Sequence, residues 1–172
     1  RDVERSRGLG DVYKRQPMFV DVVNVTSAAD MADVVKSKAA EQDIIIMTAA
    51  VADFCPSHPA DEKIKKNDSS YESVIELERT EDILSYLGAH KAKGQLICGF
   101  SMETQNMLEN SKAKLAKKNA DMIVANNLKV AGAGFGTDTN VVTLITADDC
   151  TELEIMDKSC VAARIMDRLL QM

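Results

Sequence analysis

Along this chain the hydrophobic pattern switches repeatedly between short apolar runs and segments with a period near 3.6, as expected of strands interleaved with helices. Residues 18–25, MFVDVVNV, read as a short strand. Ser27 or Asp30 is placed to cap a helix in which Met31, Val34, Val35 and Ala39 recur at helical spacing. The run IIIMTAAVA at 44–52 has no polar face. It predicts a central parallel strand buried on both sides, ending at Asp53. From Phe54 to Ser70 the prolines Pro56 and Pro59 and the basic KIKK at 63–66 predict a loop. YESVIELERT at 71–80 alternates as an exposed strand does, and Asp82–Leu87 reads as a brief helix.

QLICGF at 95–100 predicts another buried strand, followed by a polar helix over 104–119 with Met107, Leu108, Ser111 and Leu115 on its inward stripe. A strand at 121–125 then ends at Asn126. Residues 132–140, GAGFGTDTN, form a glycine-containing loop. VVTLIT is the last strand, and 159–170 a terminal helix with Val161, Ala162, Ile165, Met166 and Leu169 turned inward. This βαβαβ alternation defines an α/β domain: a Rossmann-like arrangement of three layers, with a mostly parallel sheet, helices on both faces and right-handed crossovers. In such sheets ligands sit beyond the carboxyl ends of the strands. Asp53, the stretch from Phe100 to Glu103, and Asn126 occupy those ends.

The first sixteen residues, RDVERSRGLGDVYKRQ, depart from this pattern. They are densely charged without an apolar period, resemble translated adapter sequence, and read as a non-native leader to a domain over 17–172. The native sequence is expected to extend further upstream. At 172 residues there is room for one α/β core and not for two full domains. The net charge of −6 argues against a general nucleic-acid or membrane binder. No apolar run approaches the roughly 20 residues needed to span a bilayer, so a cytoplasmic protein is expected. Cys55, Cys98, Cys150 and Cys160 are widely spaced, with no CxxC and only His58 and His90 to assist them. This reads as reduced thiols, not as a zinc site.

Against that acidic background the local basic clusters stand out. KIKK places three ammonium groups in a loop, either as a solvated edge or as a clamp for phosphates. Lys114 and Lys118 are four apart and share a helix face, where they repel by a few tenths of a kcal/mol unless an anion lies between them. Asp53 can serve a ribose hydroxyl, a base amine or a metal, or simply cap a turn. Phe100 can stack on a base or fill the core. The glycines at 132–136 lead into a strand and not a helix, so they are no dinucleotide fingerprint, and Walker A, GxSxG and HExxH patterns are absent.

AAVADF (49–54), KIKK (63–66), ERTEDIL (78–84), GFSMET (99–104), KAKLAKKNADMIVAN (112–126) and GFGTDTN (134–140), in this order, resemble the ligase domain of the CTP-dependent phosphopantothenate-cysteine ligase family. That domain is often fused behind a flavin-dependent phosphopantothenoylcysteine decarboxylase. The resemblance runs from about Phe19 to the carboxyl terminus. It implies CTP contacts at Met47, Thr48, Ala49, Asp53, Lys63, Glu78, Arg79, Thr80, Glu81, Phe100, Lys114 and Lys118. Lys63 is also implied as catalytic, Mg2+ as accompanying the nucleotide, and the metal ligands are left open. The implied reaction joins 4'-phosphopantothenate to L-cysteine through an acyl-cytidylate, releasing pyrophosphate and CMP. FMN is implied only for the decarboxylase domain, which this chain lacks.

One departure bears on activity. The family's domain opens with a strand, a glycine-containing turn and a segment rich in Arg, Asn and Ser that handles phosphopantothenate, and nothing here matches that amino-terminal part. A hairpin arm after KIKK, with the resemblance, implies a homodimer. Two other classes compete with the ligase: a Rossmann-like oxidoreductase, disfavoured by the missing GxGxxG, and a nucleotide-binding module without chemistry of its own.

Overall fold

The computed structural model describes residues 19–60, 62, 74–103, 106–127 and 136–172. Four helices and nine strands occur among them. The helices are α1 (Ala28–Ala39), α2 (Ile83–Ala89), α3 (Met107–Lys117) and α4 (Lys158–Leu169). The strands are β1 (Ile44–Met47), β2 (Phe54–Pro56), β3 (Leu77–Arg79), β4 (Leu96–Glu103), β5 (Met122–Asn127), β6 (Thr139–Asn140), β7 (Val142–Ile145), β8 (Cys150–Glu152) and β9 (Met156–Asp157).

The main sheet runs β1-β4-β5-β7-β8. β1, β4 and β5 are parallel, with Ile44 opposite Leu96 and Cys98 opposite Met122, while β7 and β8 continue antiparallel. The parallel half follows from the intervening helices. β8 runs antiparallel to β7 because the short connection between Ile145 and Cys150 cannot carry a crossover. Two small antiparallel pairs, β2 with β3 and β6 with β9, lie outside the main sheet.

Side chains on alternate strand positions build two cores. Cys98, Met122, Val124, Val142 and Leu144 face α4 and meet Val161, Ile165 and Leu169. Each such apolar side chain, fully buried, contributes about 1.5–3 kcal/mol. On the opposite face Ile97 meets Ala32 of α1 and Ile83 and Leu87 of α2. Gly99 permits this approach, because a Cβ there would stand 2.6 Å from Leu84 Cδ2. α3 lies on the same side, its buried Ser111 bonded to Ser101 at 2.8 Å. The three layers expected from the pattern are present.

Several local expectations are corrected. Residues 20–25 form no strand, and Val20, Val22, Val23 and Val25 are exposed; alternation makes a strand only where a neighbouring edge accepts its hydrogen bonds. The apolar run at 44–52 shortens to four strand residues, all half-buried. β1 is a sheet edge among the described residues, not the centre. Phe54–Pro56, read as loop, pairs with β3. Leu108, Ala162 and Met166, assigned inward, are exposed, whereas Ser111, Leu115, Val161, Ile165 and Leu169 are buried as their spacing requires. KIKK and the glycines at 132–134 lie outside the described residues.

Candidate functional site

The carboxyl ends of β1 and β4 open into a cavity of about 200 Å³, walled by the segment after β1, the start of α2 and one face of α3. Met47 closes β1, and Ala49 to Asp53 leave the sheet beside it. This extended segment is tied to the chain ahead of α2: Thr80 N donates to Asp53 O at 3.0 Å, and the Thr80 hydroxyl donates to Ala52 O. Asp82 then caps α2, accepting Ser85 N at 3.0 Å. The cap starts the helix at Ile83, whose side chain enters the core while Glu81 and Asp82 stay at the cavity rim.

From α3, Lys114 and Lys118 reach the cavity from adjacent turns. Lys114 Nζ donates to Phe100 O at 2.7 Å, at the point where β4 passes the cavity. Lys118 donates to the Asp82 carboxylate and to Ser85 Oγ at 2.9 Å. The repulsion expected of the i, i+4 pair is offset because Lys118 has an anion of its own. Burial raises the Asp82 carboxyl pKa, but the Lys118 ammonium and the Ser85 amide outweigh it, leaving the group below the usual carboxylate value. Glu81 is paired in turn with Lys36 of α1, whose ammonium also lies 5.2 Å from the centre of the Tyr86 ring. The hydrogen bond to Glu81 holds the Lys36 pKa above its usual value, against a smaller opposing effect of burial.

Of the residues expected from the sequence, Met47, Ala49, Asp53, Thr80, Glu81, Phe100, Lys114 and Lys118 line this one cavity. Thr48, Glu78 and Arg79 do not. Glu78 and Arg79 are exposed on β3, where the Arg79 guanidinium lies 5.5 Å from the Phe54 ring centre. Lys63 lies outside the described residues. The cavity adds Val51, Ala52, Asp82, Ile83 and Leu84. The signal for Asp82 was available: it is the capping residue of the brief helix that the sequence predicts. Asn126, also at a strand end, keeps Oδ1 buried without a hydrogen-bond partner among the described residues. No group of three metal-ligating side chains occurs among the described residues, and all four cysteines are free thiols.

Fold and cavity together define an α/β domain with a cation-bearing site beyond the carboxyl ends of its parallel strands, the usual ligand position in this class. The family is identified by comparison. Residues 9–172 match the model of the DNA/pantothenate metabolism flavoprotein C-terminal domain, and the chain belongs to that family. It is 46% identical over 162 residues to the coenzyme A biosynthesis bifunctional protein CoaBC of Bacillus subtilis (strain 168), covering 93% of this chain and 39% of that protein. It is 44% identical over 164 residues to a cysteine/cysteine sulfinic acid decarboxylase from an unknown prokaryotic organism, covering 94% and 45%. The chain therefore spans less than half the length of these relatives. Among solved structures it is similar to the C-terminal domain of a CoaBC protein, with 41% identity and a TM-score of 0.72, covering 90% of this chain and 69% of that one.

Proposed function

We propose that this chain is the ligase part of an enzyme that joins 4'-phosphopantothenate to L-cysteine in coenzyme A biosynthesis, with CTP as the activating nucleotide. The observation that carries the reading is the cavity itself: Asp53, Phe100, Lys114 and Lys118, brought in by separate elements, converge on it. They are also residues that family resemblance assigns to CTP. A free carboxylate acylates an amine poorly. Attack of the phosphopantothenate carboxylate on the α-phosphorus of CTP releases pyrophosphate and leaves a mixed anhydride, the acyl-cytidylate. The cysteine amine then attacks the acyl carbon and CMP departs.

Lys114 and Lys118 supply positive charge to the phosphates, where negative charge develops in the first step. Phe100 lines the cavity from β4 with its ring packed against the α4-side core, and Asp53 offers an exposed acceptor for the sugar, the base or a metal. The cavity wall carries three carboxylates, Asp53, Glu81 and Asp82, against the two ammonium groups. A triphosphate therefore needs further cations, which Lys63 and a nucleotide-borne Mg2+ provide on this reading. The donor set fits: the exposed Asp53 carboxylate on the cavity wall would join phosphates and water around Mg2+, its usual manner with nucleotides. When bound it neutralises phosphate charge. FMN belongs to a decarboxylase part of the parent protein, and the ligase part acts as a homodimer.

In thermal melts with Mg2+ present, CTP raises the melting temperature more than ATP does, because a ligand of the folded state stabilises it by mass action. Equal shifts, or none for a folded sample, overturn the CTP assignment. In calorimetric titration Lys118→Gln weakens CTP binding by about tenfold or more, the loss of a charge-assisted contact of roughly 1.5–3 kcal/mol. Cysteine-dependent pyrophosphate release by the full-length enzyme separates a ligase from a module that only binds the nucleotide.

A further inference from the structure

α2 and α3 meet at their carboxyl ends more closely than side chains ordinarily allow. A Cβ placed on Gly88 would stand 1.8 Å from the backbone carbonyl oxygen of Lys118 and 3.2 Å from Asn119 Cβ. Gly88 is buried in the last turn of α2. Its role is space: only a residue without a side chain admits the Lys118 carbonyl. The contact is then tied from the other side. Asn119, left-handed at φ 48°, donates from Nδ2 to Gly88 O at 2.7 Å. Neither Gly88 nor Asn119 lines the cavity.

Lys118 is the residue between them and the site. Its carbonyl rests on Gly88 at the carboxyl end of α2, while its ammonium binds Asp82 and Ser85 at the amino end of the same helix. One lysine thus spans α2, and its side chain is only 13% exposed. A lysine ammonium has three N–H donors. Asp82 and Ser85 take two, and with no further partner among the described residues the third can meet an anion in the cavity.

We propose that Gly88 and Asn119 are positioning residues that lock the carboxyl-terminal turn of α3 onto α2, and so hold the Lys118 ammonium where it meets a phosphate oxygen of the bound ligand. The ligand half of this inference rests on the nucleotide reading above; the lock itself does not. A side chain at 88 must push the α3 turn outward and carry Lys118 away from Asp82. A positioned group displaced by as little as about 1 Å loses its productive geometry.

The test is a double-mutant cycle on the intact chain, with CTP and Mg2+ in calorimetric titration. Gly88→Ala keeps helical backbone geometry and adds only the methyl group. It should weaken CTP about fivefold or more in the native background and less than about twofold in Lys118→Gln, since contacting residues are not additive. Equal losses in both backgrounds overturn the proposal, because Gly88 then acts without Lys118. Asn119→Gly keeps the left-handed conformation but removes the carboxamide, and carries the same cycle should Gly88→Ala fail to fold. A ligand-free readout separates the lock from the nucleotide reading: by NMR titration the Asp82 carboxyl should rise toward its ordinary value in either folded variant. An unmoved Asp82 overturns the lock. A moved Asp82 in a protein that never binds CTP upholds the lock and removes the nucleotide reading alone.

Discussion

Cys98 shows at the residue scale how position in the fold sets chemistry. It is fully buried beneath the sheet, and burial, aided by the nearby Asp121 carboxylate, pushes its thiol pKa up to about 12. Since the thiolate is the nucleophile, Cys98 should resist iodoacetamide at neutral pH until the protein unfolds, while the exposed Cys150 and Cys160 react. Mass spectrometry of native and urea-unfolded samples checks this; native labelling at Cys98 contradicts the packing. The sequence shows four cysteines without ligand spacing, which identifies them as thiols but cannot say which is inert. The lysines teach the same point. Their spacing places Lys114 and Lys118 on one face, but the partner of Lys118 lies 36 residues away in sequence.

At the scale of elements, the start of α1 was readable. Ser27 accepts Asp30 N at 3.1 Å and Asp30 accepts Ser27 N at 3.0 Å, a closed capping box that also recruits Thr26. Ser27→Ala removes one acceptor from a helix end and should cost about 0.5–2 kcal/mol. A urea midpoint lowered at unchanged slope is the expected result; an unaltered midpoint would show that α1 is held by packing alone. β1 is the contrary case. Its three isoleucines signalled an interior strand, but apolar runs report burial and not sheet order. Only the pairing with β4 on one side, and with nothing on the other among the described residues, places it at an edge.

For the whole molecule, charge pairing sets the response to pH. Hydrogen bonds from Thr26 and Ser27 depress Asp30; those from Thr151 and the Cys150 amide depress Asp149; Lys118 and Ser85 outweigh the burial of Asp82. A carboxyl depressed by folding stabilises the native state above its unfolded pKa, and that contribution is lost as pH falls through the folded value. Stability should therefore hold near neutrality and fall as pH drops below the ordinary carboxylate value near 3.8. Asp82→Asn should remove part of that acid dependence. Urea midpoints measured across the acid range decide it, and an identical profile in the variant would deny Asp82 its share. Lys36 has the opposite sign: its raised pKa gives stability that disappears only as pH rises through that raised value.

By itself the sequence determined the strand and helix alternation, the cap at the start of α1, the inward Val161, Ile165 and Leu169 of α4, and a set of motif residues of which eight meet in one cavity. These rest on interactions between neighbours in the chain, where spacing is geometry. The tertiary structure decided that β7 and β8 run antiparallel, that residues 20–25 form no strand, that Glu78 and Arg79 do not line the cavity, and that Gly88 admits Lys118. Each depends on which distant backbone edge or side chain comes alongside, and local spacing carries no term for that.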